Sequence, residues 1–146
     1  MGIEDAINYD DLRLLAKKRV PKIAFDFIEG GCDDEIGLDR NQRAFRDIGL
    51  VPRYLRNIDG IDQKTELFGR TYDSPFGISP TGLAGLFRPG ADLMLAQAAR
   101  DANVPFVMSG SATCTVEELA EVAPEHSWYQ LYAARDDNIS GDLINR

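Results

Sequence analysis

The sequence has few of the residues from which metal and redox sites are built. Its two cysteines, Cys32 and Cys114, lie far apart and belong to no CxxC or Cys/His spacing. We therefore expect ordinary free thiols and no metal site. The one histidine, His126, precedes an apolar run. Although imidazole titrates near neutrality, we interpret His126 as a surface residue leading into a strand, not as a catalytic base.

The sequence also lacks a long apolar segment and an excess of positive charge. No run of about 18 apolar residues occurs, and acidic residues are mixed with basic ones near the N-terminus, so no membrane span or secretory signal is predicted. The 24 acidic and 16 basic residues give a net charge of −8. This charge disfavours nucleic acid as a partner, because affinity for a polyanion depends on Lys and Arg. A cytoplasmic location is the default expectation, and it leaves room for peripheral membrane association.

Residues 1–73 have the pattern of an N-terminal helical extension followed by a hairpin. Asn8 can cap a first helix that ends before Pro21, and a second helix over residues 21–28 precedes Gly30 and Gly31. Its apolar residues, which should share one side, are Ile23, Ala24, Phe27 and Ile28. A third helix is expected at about residues 34–47. Residues 65–68 and 70–72, on either side of Gly69, indicate a small hairpin outside the main sheet.

Residues 74–146 alternate between strand and helix patterns. Strands are expected at residues 76–79, 104–108 and 127–132, and helices at about 91–103, after a capping box that begins at Thr115, and at 138–146. Three such units imply parallel strands with right-handed crossovers, which occur both in doubly wound sheets and in barrels. A complete eight-unit barrel takes about 250 residues. We therefore expect about three of eight units, and the end inside a predicted helix favours truncation.

The best candidate site lies where the parallel strands end, because ligands of β/α proteins collect there. Three segments occupy these positions: residues 79–82, residues 109–111 and residues 130–132. Their glycines form neither a P-loop nor GxGxxG, so binding of a nucleotide phosphate by those motifs is not predicted. Taken alone, a Gly-rich turn is more often an ordinary turn, and two polar side chains at a strand end, such as Gln130 and Tyr132, are more often satisfied interior groups.

The order of motifs is more specific than any single one. The series is DFIEGG at residues 26–31, NQRAF at 41–45, SPFGISPTG at 74–82, Met108-Ser109 with TVEEL at 115–119, and YQLY at 129–132. From Tyr9 to Arg146 the chain resembles the FMN-dependent 2-hydroxy-acid dehydrogenases and oxidases, which include glycolate oxidase, lactate oxidase and the lactate and mandelate dehydrogenases. The resemblance implies an α/β fold, a partial TIM (β/α)8 barrel, and FMN as the cofactor.

The resemblance also implies a role for individual residues. The backbone of Pro80, Thr81 and Gly82 would lie against the flavin ring, and Ser109 and Gln130 would bond its polar edge. Tyr132 would be the catalytic residue that binds the substrate. In the family, a histidine removes a substrate proton, an arginine pairs with the carboxylate and a lysine supports the reduced flavin. These three would lie beyond Arg146, so the fragment alone is expected to be inactive.

Two positions depart from the pattern of many family members. Phe27 stands where many have a tyrosine that binds the substrate carboxylate, so the ring is kept as a substrate-side group without its hydroxyl. Ser111 stands where some oxidases have a bulky aromatic residue, which implies a roomier pocket.

The resemblance predicts an enzyme that oxidises small 2-hydroxy acids to 2-oxo acids. The electron acceptor would be oxygen, a quinone or a cytochrome, and the full-length protein would be a homo-oligomer. Two alternatives stay open from the sequence. One is an FMN-dependent barrel with another reaction, as in the isopentenyl diphosphate isomerases. The other is a non-catalytic half-barrel that serves in binding or assembly.

Overall fold

The computed structural model describes residues 2–146. The chain divides into two compact units, Met1–Ile61 and Asp62–Arg146. The hairpin predicted for residues 65–72 belongs to the second of these units. None of the helices within residues 2–146 has the length and apolar character needed to cross a membrane.

The first unit is helical, as its sequence pattern predicts. A 3-10 turn, Ile3–Asp5, precedes α1 (Tyr9–Arg19), α2 (Lys22–Glu29) and α3 (Ile36–Arg46). Asn8 caps α1, since its Oδ1 accepts a hydrogen bond from the Asp11 N–H at 2.9 Å. The helix ends where Val20 adopts an extended conformation before Pro21, because a residue that precedes proline disfavours the helical region.

Only part of the apolar side of α2 is buried. Ala24 and Phe25 are buried, and the Lys17 ammonium lies 5.9 Å from the centre of the Phe25 ring. The side chains of Ile23, Phe27 and Ile28 are exposed. The four apolar residues share one side of α2, as predicted, but of these four residues only Ala24 is buried, because α1 packs against the adjacent side that carries Phe25.

The second unit begins with the predicted hairpin. Strands β1 (Thr65–Leu67) and β2 (Arg70–Tyr72) are antiparallel, with Thr65 opposite Tyr72. The two turn residues, Phe68 and Gly69, have φ values of 49° and 80°. Positive φ at both positions defines the type I′ geometry that matches the twist of a two-residue hairpin.

The rest of the second unit consists of three successive strand–helix segments. Strands β3 (Phe106–Met108) and β4 (Ser127–Tyr129) are parallel, with Val107 opposite Trp128. Ile78 joins the other side of β3 through a parallel bridge to Phe106. The helices are α4 (Ala84–Phe87), α5 (Ala91–Asp101), α6 (Val116–Val122) and α7 (Asp137–Asn145). The short α4 was not predicted.

All three parallel strands are shorter than predicted, and the first is reduced to the bridge at Ile78. Pro105 has no N–H to give to the ladder, although its carbonyl accepts the Ile78 N–H at 2.8 Å. A Cβ at Gly77 would lie 2.7 Å from the Pro105 ring, so glycine is needed for this close approach.

A single apolar core holds these segments together. Ala96 and Ala99 of α5, Phe106 and Met108 of β3, and Leu119 and Ala123 at α6 are all buried. Small residues on α5 allow the helix to approach β3 closely, while larger side chains fill the space between strand and helices. Within residues 2–146 the strands form no closed barrel.

Candidate functional site at the C-terminal edge of the strands

The three predicted loops converge at the C-terminal edge of the parallel strands. The Leu83 N–H donates to the Ser111 carbonyl at 2.9 Å, which joins the first loop to the second. The Gln130 N–H donates to the Met108 carbonyl, also at 2.9 Å, which joins the third loop to the end of β3. Backbone bonds thus bring together the candidate residues of the second unit.

Ser109 and Gln130 lie side by side at this edge. The Ser109 hydroxyl donates to Gln130 Oε1 at 3.4 Å, and the Gly110 N–H donates to the same oxygen at 3.3 Å. A main-chain N–H is a fixed donor, so it determines which end of the amide is the oxygen. The Gln130 NH2 group is left without an acceptor among residues 2–146. It is available as a donor to a ligand.

The first loop adds backbone donors to the same edge. Pro80 has no N–H, and the N–H groups of Thr81 and Gly82 have no acceptor within the described part of the chain. A Cβ at Gly82 would lie 3.7 Å from Ser109 Oγ, so the first loop passes close beside the second. Leu83 follows in the left-handed region, with φ of 56°, which turns the chain sharply into α4.

Tyr132 completes the edge from the third loop. Its side chain is 65% exposed, and one side of its ring lies over Gly110. A Cβ at Gly110 would lie 2.5 Å from Tyr132 Cδ2 and 3.0 Å from the Gln130 carbonyl. Gly110 lies in the second predicted loop, but no role was predicted for it from the sequence. The run of small residues at positions 109–111 is the sequence feature that could have indicated a close approach of another side chain.

Asp92 is a second residue that the sequence analysis missed. Its side chain is 2% exposed, in the first turn of α5. The available sequence signal was an acidic residue among the apolar residues that follow Gly90.

A cavity of about 170 Å3 lies beside the loop that joins β3 to α6, and its lining includes Ser109, Cys114 and Thr115. Burial, followed by the charges of Asp92 and Glu118, raises the pKa of the Cys114 thiol.

Other singled-out residues lie elsewhere. His126 precedes β4, at the opposite end of the strand from Gln130, and its main-chain carbonyl accepts from the Phe106 N–H at 2.9 Å. The predicted surface exposure of His126 is wrong, because its side chain is buried against Arg70 and Asn103. Cys32 and Cys114 are free thiols. Phe27 belongs to the first unit, on α2, with an exposed ring.

The arrangement is typical of the ligand site of a β/α enzyme, in which the loops at the C-terminal ends of parallel strands present polar groups. Here these groups are hydrogen-bond donors and the Tyr132 phenol. The sequence matches the FMN-dependent dehydrogenase family over residues 16–146, and the chain belongs to that family.

Curated relatives and solved structures agree with this assignment. The chain is 38% identical over 142 residues to a putative L-lactate dehydrogenase of Mycobacterium tuberculosis, which covers 97% of the chain and 34% of the relative. It is 38% identical to human 2-hydroxyacid oxidase 2, over 93% of the chain and 39% of that protein. The chain thus spans a little over a third of the length of these relatives.

Among solved structures, that of mandelate oxidase matches with a TM-score of 0.90 and 34% identity, over 97% of this chain and 41% of that one. A mutant of (S)-mandelate dehydrogenase matches with a TM-score of 0.89 and 35% identity, over 97% and 40%. The prediction of a partial TIM barrel is confirmed.

Proposed function

We propose that the protein to which this chain belongs oxidises 2-hydroxy acids to 2-oxo acids with FMN as its cofactor. The observation that carries the proposal is the convergence of Thr81-Gly82, Ser109 and Gln130 on one edge of the parallel strands. Family membership supports it, as do the names of the relatives, which are dehydrogenases and oxidases of lactate, mandelate and other 2-hydroxy acids.

The donors at this edge fit the polar edge of a flavin. The Gln130 NH2 and the Thr81 and Gly82 N–H groups have no acceptor among the described residues, and an isoalloxazine ring offers carbonyl oxygens and ring nitrogens. When bound, FMN takes up the two electrons that the hydroxy acid loses. Fixed donors that point at the ring stabilise the negative charge that develops there. Gly82 has no side chain to hold a planar ring away from the backbone of residues 80–82.

Tyr132 is proposed to bind the substrate. Its exposed phenol can donate a hydrogen bond to the hydroxyl or carboxylate of a 2-hydroxy acid and so orient the α-carbon toward the cofactor. Phe27 is proposed as a substrate-side ring. Because Phe27 lacks the hydroxyl of the tyrosine that many family members have at this position, one charge-assisted hydrogen bond to the substrate carboxylate is absent. The binding free energy is expected to be less favourable by about 1.5–3 kcal/mol than with tyrosine. The proposal assigns proton removal and pairing with the carboxylate to the remainder of the protein.

The direct test is to express the complete reading frame and examine its colour and reduction. We expect a yellow protein whose flavin absorbance bleaches when L-lactate, glycolate or (S)-mandelate is added without oxygen. A matched pair of variants checks the edge itself: Gln130→Leu is expected to weaken FMN binding, whereas Gln97→Leu, on exposed α5 surface, is not. A colourless protein would contradict the proposal. A yellow protein that no hydroxy acid bleaches would favour the isomerase-like alternative.

Further proposals concern the acceptor, the assembly and the location. Oxygen uptake, quinone reduction and cytochrome reduction by the reduced protein distinguish the three acceptor classes. Light scattering tests the proposed homo-oligomer. One solved relative is a soluble mutant of the membrane-associated (S)-mandelate dehydrogenase of Pseudomonas putida. Fractionation of cells therefore tests a cytoplasmic location against peripheral membrane association.

A further inference from the structure

Asp92 carries a carboxylate that is buried without an ion pair among residues 2–146. A buried charge is costly unless hydrogen bonds and dipoles compensate it. Asp92 Oδ2 accepts from the Thr113 hydroxyl at 2.6 Å and from the Thr113 N–H at 3.0 Å. It also lies in the first turn of the 11-residue α5, where the helix dipole favours a negative charge. The carboxylate is therefore held in one place and holds Thr113 in turn.

Thr113 is connected to the first two loops of the candidate site. It lies two residues after Ser111, whose carbonyl accepts the Leu83 N–H at 2.9 Å. On the other side, Thr113 fits against Gly85 of α4, where an added Cβ would lie 2.9 Å from Thr113 Cβ. Thr113 thus contacts the helix that follows residues 80–82 and belongs to the loop that follows Ser109.

A chain of hydrogen bonds continues from this point to Gln130. The Ser111 N–H donates to Ser109 Oγ at 3.1 Å, and the Ser109 hydroxyl donates to Gln130 Oε1 at 3.4 Å. Because Ser109 Oγ accepts one of these hydrogen bonds and donates the other, the position of the Ser109 hydroxyl is fixed. A shift of Thr113 would therefore move Ser111, and with it the partner that orients Ser109.

We propose that Asp92 is a positioning residue of the cofactor site: its carboxylate, by fixing Thr113, holds the loops of residues 80–82 and 109–111 in their binding arrangement. The inference rests on the proposed function in naming FMN as the ligand. Asp92 acts on FMN binding through Thr113 and not by contact with FMN. The Asp92 carboxylate raises the fraction of molecules in which the loops of residues 80–82 and 109–111 have the arrangement that binds FMN.

The test compares variants of the complete protein by their affinity for FMN, measured from the quenching of flavin fluorescence. Thr113→Val removes the hydroxyl with little change in shape, and Asp92→Asn removes the charge. If either change leaves about a tenth of the molecules in the binding arrangement, the Kd for FMN rises roughly tenfold. Thr113→Ser keeps the hydroxyl and is expected to restore affinity to near the wild-type value.

A matched control separates positioning from general loosening of the fold. Thr115 lies in the same loop but caps α6, where it accepts the Glu118 N–H at 3.2 Å. Thr115→Ala is expected to lower the unfolding temperature and leave the Kd for FMN within about twofold of wild type. Wild-type affinity in Asp92→Asn and Thr113→Val would overturn the inference. So would an equal loss of affinity in Thr115→Ala.

A second measurement does not depend on the flavin. Hydrogen exchange of the Leu83 N–H reports its bond to Ser111, and we expect this exchange to be about tenfold faster in Thr113→Val and unchanged in Thr115→Ala. If the wild-type protein binds no FMN, the proposed function fails, and exchange at Leu83 still tests the positioning. Unchanged exchange in both Asp92→Asn and Thr113→Val would overturn the inference whatever the protein binds.

Discussion

At the scale of single residues, the candidate site depends on the absence of a side chain at Gly110. The Gly110 N–H donates to Gln130 Oε1 at 3.3 Å, and the Tyr132 ring occupies the space into which a side chain at Gly110 would project. The φ of Gly110 lies outside the left-handed region, so other residues could adopt this backbone conformation. Glycine is needed here because a side chain would collide with Tyr132. One residue therefore serves both the proposed cofactor side and the proposed substrate side.

Replacing Gly110 with alanine should displace Tyr132. The added Cβ would lie 2.5 Å from Tyr132 Cδ2, closer than two carbons can approach. We expect kcat/KM for the hydroxy acid to fall roughly 10- to 100-fold, because a misplacement of about 1 Å has effects of this size. The yellow colour should persist, since the flavin-side donors remain. Steady-state kinetics and the visible spectrum measure the two effects.

Gly141→Ala is the matched control for this change. Gly141 lies inside α7, and apart from the adjacent backbone of that helix no atom of residues 2–146 lies within 4 Å of its hypothetical Cβ. Alanine there should leave the kinetics unaltered and stabilise the fold by about 0.5–1 kcal/mol. Wild-type kinetics in Gly110→Ala would show that Tyr132 is not held by this contact.

At the scale of elements, the β1–β2 hairpin is attached to the N-terminal end of β4 through His126. The Arg70 guanidinium lies 2.9 Å from His126 Nε2 and 3.1 Å from a Glu125 carboxylate oxygen. Burial, followed by the charge of Arg70, lowers the pKa of His126 from its ordinary value of 6.5. The groups that face this histidine are Arg70, Tyr72, Arg100, Asn103 and Glu125.

The lowered pKa predicts a loss of stability in mild acid. Because the folded state favours neutral His126, the unfolded state takes up a proton more readily as the pH falls through about 6.5. The contribution of neutral His126 to the free energy of unfolding is therefore fully present above this pH. It is lost as the pH falls toward the pKa of His126 in the folded state. We expect the unfolding temperature to fall between pH 7.5 and about 5.5. In His126→Gln the fall should be shallower, and identical slopes would contradict the assignment.

The elements whose ends are set by local chemistry were predictable from sequence. Asn8 and the Thr115–Glu118 capping box mark the starts of α1 and α6 because each bond is made within one turn. Strand lengths were not predictable in the same way. Pairing ends where a partner is missing, as at Pro105, and residues 130–132 belong to a loop although their pattern continues that of β4.

At the scale of the whole molecule, the chain leaves sheet and apolar surface uncovered. Within residues 2–146, β4 pairs with β3 on one side alone. Large apolar side chains such as Ile7, Leu50 and Phe76 are exposed. Unpaired parallel edges and apolar patches favour association with other chains.

Residues 1–146 expressed alone should therefore associate. We expect species larger than a monomer in size-exclusion chromatography with light scattering, and a broad thermal transition. The complete protein, measured in the same buffer, should elute as one defined species with a sharp transition. A monomeric chain of residues 1–146 that melts cooperatively would instead support the half-barrel as an independent binding or assembly module.

The sequence by itself determined the starts of α1 and α6, the hairpin, the alternation of strands and helices and the ordered motifs of the family, because each depends on neighbours close in the chain. The tertiary structure decided which side of α2 is buried, how far the strands pair, and that His126 is enclosed. It also decided the link from Asp92 to Thr113 and the contact of Gly110 with Tyr132. The buried side of α2 depends on the neighbouring helix α1. The other features depend on residues about twenty or more positions apart, whose proximity arises when the strands and helices pack.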